Sequence, residues 1–393
     1  MNLPAGHPLR VLHAPEVVGG HAPTLARAER AAGLRSVSVS LYGDRYGYGC
    51  DEVIWRPGSS RMCREAARWR LFSRALREFD VIHLNFGLSI LSWGTLFTGR
   101  ARLGLVDRLA VRMAPHLDLL DLPALSRRGK LIAITFQGDD ARQGDYCLEH
   151  FEISVAREAA PGYYSPWSDR RKRERIVRFD RYADLVYALN PDLLHVLPER
   201  ARFLPYCNVD LDEWHPVEQS QANGRRPVVV HAPSDRRAKG TAAVLAAVER
   251  LREAGVDFEF RLIEGMTRPE ARRLYEDADL VIDQLLVGWY GGFAVEAMAL
   301  GKPVIAYIRK EDLRLVDASL AAALPIIAAE PRDLASVLAE WVGPRRAELR
   351  QVGRASRAYV ETWHDARKIA ATLKQDYEHA WSAKHNPAQA VPA

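Results

Sequence analysis

Ten short apolar runs, separated by helical or turn-rich stretches, decide what this 393-residue chain can fold into. The first six are LRVLHA, SVSVSLY, DVIHLNF, LIAITF, DLVYAL and RFLPY, with helical patterns such as SRMCREAARWRLFSRALREF between them. Strands alternating with helices build a parallel sheet covered on both faces, because parallel neighbours need a crossover connection. DLDEWHPVEQSQANGRRP then interrupts the rhythm with turn formers and charge, as a linker does. Beyond it PVVVHAP, FEFRLIE, LVIDQLL and PVIAYI begin a second series of the same kind. The expected architecture is therefore α/β, with two doubly wound Rossmann-like domains at residues 1–215 and 216–363. The helical pattern over 364–385 is expected to fold back across the linker and complete the first domain, leaving a polar tail at 386–393.

Composition narrows the class. Hydrophobic residues make up 48% and charged residues 27%, which suits a globular protein and not a disordered or fibrous one. The longest apolar stretch, FGLSILSWGTLF, is too short and too polar for a membrane span, and the N-terminus has no signal-peptide pattern. Cysteines 50, 63, 147 and 207 form no C-x-x-C pair, which fits reduced thiols, no structural zinc and a cytoplasmic address. The net charge of +5 is unevenly placed: RRKRERIVRFDR, residues 170–181, holds seven basic and two acidic side chains. A solvated helix face is the plain reading, and peripheral contact with an anionic membrane is the alternative. No zinc-finger spacing or RNP1-like strand accompanies the charge, so nucleic acid is not an expected partner.

Ligands of open α/β sheets bind beyond the carboxyl ends of the strands, so the loops that follow strands are the places to search. In HAPEVVGGHAPTLARA, Gly19 and Gly20 let the backbone approach a ligand beside a helix start, although the dinucleotide fingerprint is absent. In VVVHAPSDRRAKGTAAV, Arg236, Arg237 and Lys239 crowd a helix N-terminus against its dipole, a conflict that a diphosphate would relieve. In LVIDQLLVGWYGGFAVEAMALG, Glu296 falls about one turn inside a helix, where a carboxylate can accept hydrogen bonds from the vicinal hydroxyls of a ribose. The amides of Gly291 and Gly292 would then face phosphate groups.

GGFAVEAMALGKPVIA resembles the donor-site signature of glycosyltransferases with the GT-B fold, in particular the retaining family-four group. HAPSDRRAKGT resembles their arginine and Lys-Gly loop, VVGGHAPTLARA their N-terminal glycine loop, ITFQGDDAR a Phe-His-Gly-x-Asp segment and FLPYCNVDLDEWHP the entry to their interdomain linker. The resemblance implies two Rossmann-like domains facing across a cleft, the first on the acceptor side and the second on the side of a nucleotide-diphosphate sugar. It implies that Glu296 holds the ribose, Arg236 and Lys239 the diphosphate, and Gly19 and Gly20 the phosphates from the other domain. Asp140 joins Arg236 and Lys239 as a catalytic candidate, and no metal or other cofactor is expected. The acceptor would be a saccharide, a lipid-linked species or another hydroxyl compound.

The sequence departs from the family pattern at two places. The first of two glutamates that the family carries eight positions apart is here Gly288, so Trp289, Tyr290 or backbone amides would have to contact the sugar instead. Gln137 stands where histidine is common, and glutamine binds hydroxyls but is no base near neutral pH. His13, His21 and His83 lie near strand ends, with a structural role as the simpler expectation. Other readings stay open: an epimerase or phosphorylase on the same fold, or an inactive binding or scaffold subunit.

Overall fold

The structure, a computed structural model, describes residues 8–44, 46–92, 118–217 and 225–386. Seven parallel strands form the first sheet: β1 (Arg10–Ala14), β2 (Arg35–Ser40), β3 (Glu52–Val53), β4 (Val81–Asn85), β5 (Leu131–Phe136), β6 (Leu185–Ala188) and β7 (Arg202–Phe203), in the order β3-β2-β1-β4-β5-β6-β7. The second sheet is made of β8 (Val228–His231), β9 (Glu259–Leu262), β10 (Leu280–Ile282), β11 (Val304–Ala306) and β12 (Ile327–Ala328), in the order β12-β11-β10-β8-β9. Every residue of β4 and β5 is buried, as strands covered by helices on both faces must be. All ten sequence runs lie on these strands. The two-residue edge strands β3 and β12 carry no such run and were not expected.

The helices that position the cleft are α1 (His21–Ala31), α2 (Arg61–Glu78), α3 (Pro166–Tyr182), α4 (Thr241–Glu253), α5 (Arg268–Glu276), α6 (Gly292–Ala299), α7 (Leu349–Trp363) and α8 (Ala366–His385). Their starts follow local chemistry. Ser165 and Ser168 form a capping box before α3 with Pro166 in its first turn, and Thr267 with Glu270 does the same for α5. Leu71, Phe72, Ile176 and Phe179 of α2 and α3 cover one face of the first sheet. On the other face, Ile369, Ala370, Leu373 and Tyr377 of α8 pack with Leu25 of α1, Val81 and Leu131. The chain thus crosses from the first sheet to the second and returns. Most of the polar tail expected at 386–393 lies outside the described residues, as does part of the linker.

The basic stretch proves to be the body of α3. Arg171 and Arg175 bond Asp118 at 3.2 and 2.8 Å, Arg173 bonds Asp145 at 2.7 Å, and Lys172 donates to the Arg142 carbonyl at 2.6 Å. Its outward face instead carries Trp167, Arg170, Val177 and Arg181, all exposed. Among the described residues, no helix is long and apolar enough to cross a membrane.

Candidate active site

The carboxyl ends of both sheets open onto one cavity of about 460 Å³. Gly19 reaches it from the loop after β1, Phe86 from β4 and Gln137 from β5; Lys239, Arg268 and Gly292 come from the loops after β8, β9 and β10. A parallel sheet places successive loop ends side by side, which is how residues more than a hundred positions apart meet. Gly19, Gln137, Lys239, Gly291, Gly292 and Glu296 line this cavity, as their positions after strand ends suggested.

Glu296 is 3% exposed on α6, and its Oε1 accepts a 2.7 Å bond from Arg268 Nε at the start of α5. Burial pushes the Glu296 carboxyl up, and the neighbouring Arg268 pulls it back toward ionisation. The Arg268 guanidinium lies 4.8 Å from the Trp214 ring and 5.0 Å from that of Tyr48, while its backbone N–H donates to Tyr46 O at 2.8 Å. Since Tyr46 and Tyr48 belong to the first half, this contact spans the cavity. Sequence reasoning missed Arg268; a basic residue opening a capped helix after a strand is the signal it offered.

Lys239 Nζ donates to Asp283 Oδ1 at 3.1 Å and to Gln284 Oε1 at 2.7 Å. Asp283 is fully buried, and its other oxygen accepts the Gly291 N–H at 2.6 Å. The Gly291 amide is therefore committed to the protein and does not face a ligand, a correction to the expected phosphate contact. Lys239 remains at the cavity wall, where the N-terminus of α6 adds partial positive charge.

Four other expectations change. Arg236 is more than half exposed, pairs with Glu264 at 2.6 Å and lines a separate cleft with Ser154 and Gly240, so it does not meet Lys239 over a shared ligand. Asp140 is turned inward: its carboxylate accepts the N–H groups of Gln137 at 3.1 Å and Gly138 at 2.6 Å, and it shapes the turn without reaching the cavity. Burial raises the Asp140 carboxyl to about 6 against the pull of those amides. Gly20 does not line the cavity either; in the left-handed conformation, with φ +73°, a Cβ there would come within 2.5 Å of the Tyr48 ring. Tyr290 and Trp289 are fully buried, with Tyr290 Oη 2.9 Å from Tyr359 Oη and from His364 Nε2, so neither ring takes over a sugar contact.

The missing glutamate at 288 has a local explanation. Gly288 has φ +87°, and a Cβ there would lie 2.7 Å from Arg309 Nη1. Arg309 bonds Asp312 at 2.9 Å and the Ile153 carbonyl at 3.1 Å and stacks over Phe151 at 3.6 Å, while Asp312 bonds His195 Nε2 at 2.7 Å. This buried cluster ties the second half to the first in the space that a side chain at 288 would need.

The three histidines divide. His13 bonds Glu29 at 2.8 Å and His83 lies between Tyr377 and Thr135 at 2.6 and 2.7 Å, so both belong to a polar chain beneath α8. His21 lines the cavity; its Nδ1 accepts the Cys207 N–H at 3.1 Å, which puts the ring proton on Nε2. Burial, with His13 close by, drops His21 to about 3, so it is neutral at physiological pH. Among the described residues no group of three or more His, Cys, Asp or Glu is placed to hold a metal ion.

No protein-family model matches the chain, and no curated protein matches it in sequence. Solved structures do match. Sucrose-phosphate synthase from Thermosynechococcus elongatus aligns with a TM-score of 0.58 at 16% identity, over 96% of this chain and 100% of that one. The catalytic domain of starch synthase IV from Arabidopsis thaliana, bound to ADP and acarbose, gives 0.58 at 14% identity, over 96% and 100%. An alpha-glucosyltransferase in complex with UDP and a 13-mer DNA containing an HMU base gives 0.54 at 10% identity, over 94% and 99%. At these identities the likeness is one of fold: the chain has the α/β GT-B architecture of these glycosyltransferases, as its motifs implied.

Proposed function

We propose that this protein is a glycosyltransferase that moves a sugar from a nucleotide-diphosphate sugar to a hydroxyl acceptor, with retention and without a metal. The observation that carries this reading is the convergence of Glu296, Lys239 and the α6 N-terminus from one sheet with the Gly19 loop from the other on a single cavity. Residues 216–363 would hold the donor, and residues 1–215 with the helix over 364–385 would hold the acceptor. The ADP and UDP in the starch synthase and alpha-glucosyltransferase structures support a nucleotide donor by analogy of fold.

Within this reading Glu296 accepts from the ribose hydroxyls, while Lys239 and the helix dipole stabilise the leaving diphosphate. The acceptor hydroxyl attacks on the face the phosphate leaves, and a phosphate oxygen takes its proton, so no nucleophile of the protein is needed. Enclosure by both halves excludes water. Thermal shift with UDP-, ADP- and GDP-sugars tests donor binding, since a ligand at a hundred times its dissociation constant adds about 2.7 kcal/mol. Absence of any shift would overturn the reading. Gly288 favours one rival, a subunit that binds the donor without transferring it; donor binding with no product across a broad acceptor panel would identify that case.

Transfer is expected to proceed unchanged in EDTA, because the charges at the diphosphate position are Lys239 and a helix terminus. A rate that collapses on chelation and returns with magnesium or manganese would contradict this.

We place the protein in the cytoplasm, with α3 as the candidate membrane contact. Because Arg171, Lys172 and Arg175 are engaged internally, reversal of Arg170 and Arg181 is the informative change: association with anionic vesicles should fall, by about 1 kcal/mol per residue near the surface and less in high salt. Co-sedimentation unchanged by both substitutions would return α3 to a solvated face.

A further inference from the structure

Phe86 stands in the left-handed region, with φ +58°, at the end of β4, and only Leu119 shares a positive φ among the described non-glycine residues. A Cβ makes that conformation unfavourable, and such outliers persist where the surroundings impose them and a function uses them. Its N–H is held by Thr135 O at 3.1 Å, and a Cβ on the next residue, Gly87, would lie 3.1 Å from Asp140 Cβ. Glycine at 86 would relieve the strain. The phenyl ring is not a core element either, since it is partly exposed and lines the cavity on the first-half side.

The groups beside it are hydroxyl-binding groups. Tyr163, 51% exposed, donates its phenol to Asp139 Oδ2 at 2.5 Å and keeps its oxygen lone pairs as acceptors. Gln137 lines the same wall, its Nε2 donating to Asn85 Oδ1 at 3.4 Å and its Oε1 an acceptor. Arg142, the cation of this wall, is already paired with Asp192 at 2.7 Å and with Asp139 at 2.8 Å. Burial pushes the Asp139 carboxyl up, but Arg142 and the two phenols of Tyr163 and Tyr164 outweigh it and hold Asp139 below the usual carboxylate range. A wall whose cation is already paired, with an apolar ring edged by acceptors, suits an uncharged polyhydroxylated ring, which offers one face of C–H bonds and a rim of hydroxyls. It does not suit an anion, which would find no unpaired cation there.

We infer that Phe86 is a specificity-determining platform for a neutral saccharide acceptor, with Tyr163 and Gln137 positioned for its hydroxyls. This rests on the transferase reading, and the test separates the two. Saturation-transfer NMR on the full chain would use methyl glucoside, mannoside and galactoside as probes, with methyl glucuronide as the charged control and with UDP, ADP or GDP present. A neutral glycoside should receive saturation at its ring C–H positions, Phe86→Gly should weaken it at least ten-fold, and nucleotide affinity should stay within two-fold. The Tm of Phe86→Gly should equal or exceed the parent's, because a structural phenyl would lower it and a strained platform would not. A large fall in Tm, undiminished glycoside binding in the variant, preference for the glucuronide, or no glycoside binding to the nucleotide complex would each overturn the inference. Glycoside binding at Phe86 with no affinity for any nucleotide would instead strike the transferase reading and leave the platform standing.

Discussion

Replacing Gly288 by glutamate is expected to destabilise the fold by about 3 kcal/mol or more, although it installs the residue that the resembled glycosyltransferase signature carries there. Two effects add. A residue with a Cβ at φ +87° is strained by roughly 1–2 kcal/mol. The new side chain must also displace Arg309, whose pair with the fully buried Asp312 belongs to the class that costs about 3–5 kcal/mol to break. Urea denaturation should show a clearly lower midpoint, and Gly288→Ala should already lose part of it, because the Cβ alone meets the guanidinium. Parental stability in the glutamate variant would mean that Arg309 swings aside freely and does not clasp the halves.

Glu296→Gln should weaken nucleotide binding by about five- to fifteen-fold, the loss expected when a charge-assisted bond of about 1.5–3 kcal/mol becomes a neutral one of about 0.5–1.5 kcal/mol. The change keeps the shape of the side chain. It leaves Arg268 without its carboxylate, yet Arg268 still bonds the Asn208 carbonyl and stacks on Trp214, so the cavity wall should hold. The variant also sheds the cost of burying an ionised carboxyl, which limits the stability loss. Calorimetric titration with UDP, ADP and GDP reads the effect. Equal affinity in parent and variant would mean that Glu296 serves Arg268 alone and not a ribose.

The strands were legible because each lies in a short β-rich run between helical or turn-rich stretches, most clearly β4 and β5, which are buried throughout, whereas β3 and β12 are two-residue edges with nothing in their composition to announce them. The wall residues Gly19, Gln137, Lys239 and Glu296 could be found because topology alone puts loops after strands at the cavity. What the sequence hid are pairings between loops. Nothing near Arg236 shows that Glu264 will draw it off, nothing near Glu296 points to Arg268, and nothing near Gly288 shows that Arg309 fills its space. Asp140 was misplaced for a related reason: a carboxylate in the loop just past a strand can serve a ligand or its own turn, and only the geometry shows the amides it accepts.

The return of α8 to the first sheet sets an order on how the chain can mature. Residues synthesised after the second half cover Leu25, Val81 and Leu131 in the half made before it, and Tyr377 provides the phenol that His83 and Glu29 bond. A nascent first half therefore emerges with an apolar stripe uncovered and with His83 and Glu29 each short of one hydrogen bond, and it waits in that condition while about 150 further residues are made. The covering of the first half is therefore completed only once the second has been made, so truncation inside α8 should harm the part of the protein farthest away from it in sequence.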